Sequence, residues 1–398
     1  MGTTIAGFEK MCATETDHII DLRLRLHAHP ELAEREQATS ATIVDRLRQT
    51  NPTHIISGLG SMQTGVCAVY DSGKPGPVIL LRAELDALPI DESNTFAHRS
   101  SVPGISHKCG HDGHMATLVA VAHQLQTRPV GRGCVYLLFQ PAEETGTGAL
   151  AVLHDPKFRA LQAPDYVYAF HNIPKFPLGQ VLLRKGLFAQ ASVGFIVEYK
   201  GKTSHASYPE FGVNPSAAVT ELVNAVNSFD TTLAAQVSAP ILATTSYAQL
   251  GNATNGPNFG TTPGNGIITG VLRAQCNNDL GIVRQALETL VARLAEESRL
   301  AHDLSWHEAF AATTSHDACV ATIESAALAA ELDAHYLEDP FRWSEDFGRF
   351  TDEFTGAFFG LGSGLDQPQL HENGYDYPDD LIATGARIYR AIIDQHLG

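Results

Sequence analysis

Residues 78–89 read Val-Ile-Leu-Leu-Arg-Ala-Glu-Leu-Asp-Ala-Leu-Pro, residues 106–114 read Ser-His-Lys-Cys-Gly-His-Asp-Gly-His, and residues 135–144 read Val-Tyr-Leu-Leu-Phe-Gln-Pro-Ala-Glu-Glu. The first and last open on apolar runs of strand length, 78–81 and 135–139, and each run ends in a polar cluster. Between them, 115–125 has the length and apolar content of a helix. Strand, helix, strand in that order is the signature of an α/β domain with a mostly parallel central sheet flanked by helices. In such a sheet chemistry gathers just beyond the carboxyl ends of the strands. The polar clusters are therefore where a site is sought.

Working outward, residues 16–47 carry apolar positions at helical spacing and predict two amphipathic helices broken at His29-Pro30. A further strand is expected at 166–170. From about Gln190 the pattern changes: a half-buried strand at 192–199, a helix at 214–229, strands at 241–250 and 266–274, a helix at 280–298 and a strand near 304–309. That β-α-β-β-α-β order predicts an inserted α+β ferredoxin-like domain. Beyond it come a helix at 319–332, a strand at 356–361 and a closing helix at 378–397. The expected layout is a discontinuous α/β domain, 1–189 and 310–398, interrupted by an insert at 190–309.

The chain has 398 residues and a net charge of −17, from 27 Lys+Arg and 44 Asp+Glu. Apolar residues make up 44% and charged residues 18%, a globular balance. The acidic excess argues against nucleic acid or an anionic membrane surface as partner. No uncharged apolar run approaches the ~18 residues of a membrane span. No export signal is visible in the first twenty residues, and Cys12, Cys67, Cys109, Cys134, Cys276 and Cys319 are widely scattered. They read as reduced thiols in a cytoplasmic protein. Histidine is abundant, 18 in all. It is the commonest transition-metal ligand and the usual proton carrier near neutrality.

Every strand end offers a side chain able to bind metal. Glu84 and Asp86 follow 78–81, Cys109 and His111 precede the 115–125 helix, Glu143 and Glu144 follow 135–139, and His171 ends 166–170. His371 comes after the turn Gly360-Leu-Gly-Ser-Gly364, which reads as backbone shaping a pocket rather than a nucleotide loop. Cys109 and His111 point the same way in an extended segment, so they can reach one centre; taken alone they are a thiol beside surface histidines. Glu143-Glu144 is a solvated charge doublet, or a pair in which one carboxylate binds metal while the other stays free to carry protons. His171 alone is a core histidine, His371 a surface one, and His205 a turn residue. Their convergence is what would give them weight.

Several segments resemble the metal-dependent amidohydrolases of the M20 peptidase superfamily, in the branch of aminoacylases, hippurate hydrolases and indoleacetyl-amino acid hydrolases. They are Leu26-His-Ala-His-Pro-Glu-Leu32, Arg82 to Pro89, Cys109-Gly-His-Asp-Gly-His114, Phe139-Gln-Pro-Ala-Glu-Glu144, Phe170-His-Asn172, Gly201 to Ser207, Ser344-Glu-Asp-Phe347 and His371-Glu372. The resemblance implies a zinc-exopeptidase-like fold and two divalent metal ions, held by Cys109, His111, Glu144, His171 and His371. It implies Glu143 as general base and then acid, and Asp86 as the acid orienting the metal site. The insert would form a homodimer and present His205 to the developing oxyanion of the other protomer, with Asn258 and Arg273 contacting substrate. Glu84 stands where relatives usually carry Asp, and 258–263 departs from the usual segment.

The expected reaction is hydrolysis of the amide bond of an N-acyl amino acid by a water activated between two metals. A dipeptidase or carboxypeptidase on the same scaffold is the alternative. Thiolate and imidazole together favour zinc, with manganese, cobalt or nickel also able to serve. Two other classes compete with it: a hydrolase using Cys109 as nucleophile, and a catalytically silent metal-binding or dimerisation module.

Overall fold

A computed structural model describes residues 13–251 and 258–398; Cys12 lies outside them. The chain divides into two compact units, 1–188 with 313–340 and 346–398, and 189–312 with 341–345. Residues 341–345 thus group with the second unit, where Gln190 N–H donates to the carbonyls of Phe341 and Trp343 at 3.3 and 3.2 Å.

The first unit is built on an eight-stranded sheet. Its spatial order is His54–Leu59, Gly65–Asp71, Cys134–Gln140, Val78–Glu84, Tyr166–Pro174, Gly356–Gly364, Val181–Leu183 and Ala334–Tyr336. Its four central strands run parallel. The two strands beyond Cys134–Gln140 are antiparallel additions, and Val181–Leu183 pairs antiparallel with Gly356–Gly364. Every residue of Val78–Glu84 and Cys134–Gln140 is buried, as expected of parallel strands covered on both faces. Their register places Glu84 opposite Gln140. The loops that follow, one carrying Asp86 and the other Glu143 and Glu144, therefore emerge side by side.

Helices cover both faces. Ala13–Ala28 and Gln37–Arg48 are separate, with the break at His29-Pro30 that the sequence predicts. His111–Thr127 is buried along almost its whole length against Asp380–Leu397. Leu118, Val119, Phe170, Phe359, Ile388 and Tyr389 share that core. Gly110, just before His111, has φ +95°, and a Cβ there would stand 2.6 Å from Asn172 Oδ1. Only glycine permits this approach.

In the second unit the strands Ala301–Phe310, Ala191–Lys200, Asn265–Ala274 and Leu242–Leu250 lie in that order, all antiparallel. Ser216–Val226 and Asn277–Ser298 pack on this sheet, giving the ferredoxin-like arrangement. Burial alternates along the second half of Ala191–Lys200. Val193, Phe195, Val197 and Tyr199 face inward and meet a core that includes Leu222, Val283, Leu287 and Val291. Among the described residues no helix is long and apolar enough to cross a membrane. Cys67, Cys109, Cys134, Cys276 and Cys319 are free thiols.

Candidate metal centre

The strand ends of the first unit bring Cys109, His111, Glu143, Glu144, His171 and His371 together. Cys109 Sγ lies 3.3 Å from His171 Nε2. His111 Nε2 is 3.8 Å from Glu144 Oε1 and 4.0 Å from Glu143 Oε2, and His371 Nε2 is 3.8 Å from Glu144 Oε2. Three overlapping sets, Cys109/His111/His171, Cys109/Glu144/His371 and His111/Glu143/Glu144, each keep their donor atoms within 4.8 Å of one another. Donors that share one ion at about 2.0–2.3 Å stand about 3–4 Å apart, so this spacing fits cations better than direct hydrogen bonds.

The ring orientations support the same fit. His111 Nδ1 is 2.8 Å from the carbonyl of Asp86, and His171 Nδ1 is 2.9 Å from the carbonyl of Asn172. A carbonyl only accepts, so each Nδ1 carries a proton, and in the neutral form each ring would turn an Nε2 lone pair to the cluster. His111 Nε2 is buried there with no hydrogen-bond partner. Asp86 is fully buried and accepts the Glu144 N–H at 3.0 Å. It thus steadies one residue of each facing loop. Glu143 accepts the Asp346 N–H at 3.3 Å.

The electrostatics describe a cluster short of positive charge. Burial pushes the Cys109 thiol well up, and Glu144, Glu143 and Glu84 add to it. Burial alone would lower His111, but the carboxylates of Glu84, Glu144 and Asp86 outweigh it and hold the ring at about 10. Burial, with His114 next, takes His171 well below the usual histidine range. A divalent cation would reverse the first two, favouring thiolate and neutral imidazole. The mixed sulfur, nitrogen and oxygen donors suit zinc.

His371 differs from the other five. It is half exposed and sits in the left-handed region at φ +66°. Its N–H donates to the carbonyl of Lys108 at 2.9 Å. The buried Lys108 ammonium reaches Glu92 at 2.6 Å and the carbonyl of Tyr375 at 2.8 Å. One lysine thereby ties the Cys109 loop to the loop that carries His371.

His205, Asn258 and Arg273 belong to the second unit. His205 is exposed and pairs with Thr261 in a short bridge, while its Nδ1 accepts the Ser207 N–H at 3.0 Å. Asn258 is exposed in the same corner, donating to Thr261 Oγ1 at 3.2 Å. Arg273 is half-buried and donates to the carbonyl of Arg342 and to Ser344 Oγ at 2.9 and 3.0 Å.

The sequence offers Glu84 as a strand-end acid able to bind metal, but assigns no role to the rest of the layer beneath the centre. Glu84 is buried between Arg82 and His114, with its Oε2 2.7 Å from His114 Nδ1. Arg82 and Gln140 both donate to Asp346, at 2.6 and 2.8 Å. Asp112 accepts from Arg23 at 3.3 Å and from His27 at 2.9 Å, and the other His27 nitrogen lies 3.1 Å from Glu92. Facing carboxylates on both sides, His27 overcomes its burial and rises to about 9, with Asp112 the main cause. The one local hint was Asp112 and His114 at positions two and four of a helix that begins at His111.

Known proteins resemble this chain along most of its length. The chain is 30% identical over 364 residues to the N-acetyl-L-cysteine deacetylase of Bacillus subtilis, covering 90% of this chain and 83% of that one. It is 28% identical over 379 residues to the hippurate hydrolase of Campylobacter jejuni, covering 94% and 96%. A solved Bacillus subtilis structure, described as a dinuclear metal-binding peptidase of the M20 family, superposes with a TM-score of 0.78 at 22% identity, covering 96% of this chain and 99% of that one. Residues 80–395 match the peptidase family M20/M25/M40, and with the first relative this shows that the chain belongs to that family and hydrolyses amide bonds.

Proposed function

We propose that this protein removes the acyl group from N-acyl amino acids by metal-assisted hydrolysis. The observation that carries the reading is the meeting of five donor residues, Cys109, His111, Glu144, His171 and His371, beside the carboxylate of Glu143. Relatives named N-acetyl-L-cysteine deacetylase and hippurate hydrolase support the substrate class. The five donors would hold two divalent ions, zinc by their chemistry. When bound, these supply Lewis acidity and lower the pKa of water toward neutrality.

Glu143 takes a proton from the attacking water as its oxygen bonds to the amide carbon. The same carboxyl then delivers that proton to the nitrogen as the carbon–nitrogen bond breaks. The products are a carboxylic acid and a free amine. Asp86 holds His111 and the Glu144 backbone in place meanwhile. Resemblance to the family adds three roles in the second unit. His205 donates to the oxyanion from the partner protomer of a homodimer, and Asn258 and Arg273 bind the substrate.

The test is a substrate panel. Protein stripped by a chelator is expected to be inactive. Added zinc or manganese is expected to restore hydrolysis of acetyl-, benzoyl- and longer-chain acyl amino acids above that of free dipeptides. Preference for dipeptides would move the assignment to dipeptidase or carboxypeptidase. Activity that survives chelation but not thiol alkylation would overturn it in favour of a cysteine nucleophile.

A further inference from the structure

Glu143 and Glu144 are adjacent and both approach His111, yet Glu144 also faces His371 while Glu143 accepts the Asp346 N–H, so something must fix the turn that presents them. Ala142, just before the pair, has φ +51°, a region a residue with a Cβ enters only when its surroundings hold it there. The carbonyls of Ala142 and Glu143 accept from Gly148 and Gly146 at 3.0 and 2.7 Å. A Cβ on Gly148 would stand 1.6 Å from the carbonyl oxygen of Pro141, so the turn closes tightly on itself. The N–H groups of Ala142 and Glu144 are taken by acceptors outside the turn. Glu144 N–H goes to Asp86. Ala142 N–H goes to Glu36 Oε1 at 2.9 Å.

Glu36 is fully buried. It lies 106 positions from Ala142 in sequence. The same Oε1 accepts the Glu34 N–H at 3.0 Å, and Oε2 accepts the Thr64 hydroxyl at 2.9 Å. A buried acid that receives only donors acts as a fixed acceptor. We infer that Glu36 is a positioning residue for the Glu143–Glu144 pair: by clamping the Ala142 amide opposite Asp86, it sets the left-handed turn that aims one carboxylate at the ligand cluster and holds the other beside it. This rests on the roles proposed above for Glu143 and Glu144.

Glu36→Met keeps the bulk and removes the acceptor, while Glu36→Gln keeps an oxygen for both amides and an NH2 group for the Thr64 oxygen. Glycine adopts the left-handed region without help, so Ala142→Gly should relieve a chain that has lost the clamp. The readouts are kcat, KM, the zinc Kd by equilibrium dialysis, and Tm. E36M is expected to lose about 10–100-fold in kcat with KM little changed, and about 10–100-fold in zinc affinity. E36Q and the E36M/A142G double variant are expected to recover most of both. E36M with a lowered Tm but unaltered kcat and zinc Kd would overturn the inference, as would E36Q no better than E36M. If E36M does not fold, Glu36→Asp withdraws the acceptor by one methylene: several-fold losses in kcat and zinc affinity support the assignment, and unaltered values overturn it. Glu143→Gln separates the two levels. Full turnover in E143Q sinks the functional reading itself, whereas inactive E143Q beside fully active E36M sinks only the role of Glu36.

Discussion

Cys109, His111, Asp86 and Glu143 in the first unit are almost wholly withdrawn from solvent, and their partners come from distant parts of the chain. His205 and Asn258 in the second unit are exposed, and their hydrogen bonds end on residues two or three positions away. The contrast is one of what holds a side chain still. A charged cluster in a low-dielectric setting survives only if its backbone is over-determined and its charges are met. His205 and Asn258 carry no such burden, and can present themselves from short turns. Reorganising the first should cost metal or nearly all turnover, and reorganising the second should lower the rate or the affinity for substrate while the metal stays bound.

The largest effect that could break this contrast lies in the glutamate pair. Glu143→Gln is expected to keep its metal and lose about 10²–10⁴-fold in kcat, while Glu144→Ala loses metal, as read by elemental analysis of the dialysed protein. Equal metal content and equal rates in the two variants would remove the division of labour between them. Next comes His205→Ala, expected to reduce kcat by about 10²–10³-fold, the loss seen when one oxyanion donor is removed, with metal stoichiometry unchanged. Mixing it with the Glu143 variant in exchanging dimers should recover part of the activity. No recovery would place the histidine's role within its own protomer or nowhere.

A smaller effect concerns stability. Burial would lower His27, but Asp112 chiefly holds it at about 9, against 6.5 when unfolded. Its contribution is therefore complete below pH 6.5 and disappears as pH rises through about 9; the shift corresponds to at most about 3 kcal/mol. Tm followed from pH 6 to 10 should fall more steeply in the native protein than in His27→Gln, and parallel curves would deny the charged pair. The smallest change is expected at Asn258→Ala: KM several-fold higher for the substrate, with stability within about 0.5 kcal/mol of the parent because the residue is exposed. A collapse in Tm there would show that the second unit is as tightly determined as the first.

How much was legible in the sequence follows the same division between local and distant. The parallel strands announced themselves as apolar runs ending in ligating residues, and the insert as alternation switching to helical period. Gly65–Asp71 escaped notice, although its first six residues are buried, because Gly65, Cys67 and Ala68 give no contiguous large apolar run. Val181–Leu183 and Ala334–Tyr336 are three residues each, too short to show any period. The donors were readable because metal chemistry uses few residue types. His27, Asp112 and Asp346 stand inside segments that carry the family resemblance, yet nothing local gives them a role, and Arg23 and Glu36 leave no pattern around themselves, since each acts through hydrogen bonds to segments far along the chain. Arg23 and Asp379, for instance, meet across 356 positions.

The donors of the candidate centre run from Cys109 to His371, and the helix Asp380–Leu397 that seals the core follows the last of them. A chain growing from its amino terminus can bury its first strands early, but it has no complete set of donors until His371 has been added. Ion capture would then report that synthesis has passed His371. Truncated or stalled products would lack the last donor, and so would be released as inert protein rather than as a loose hydrolase.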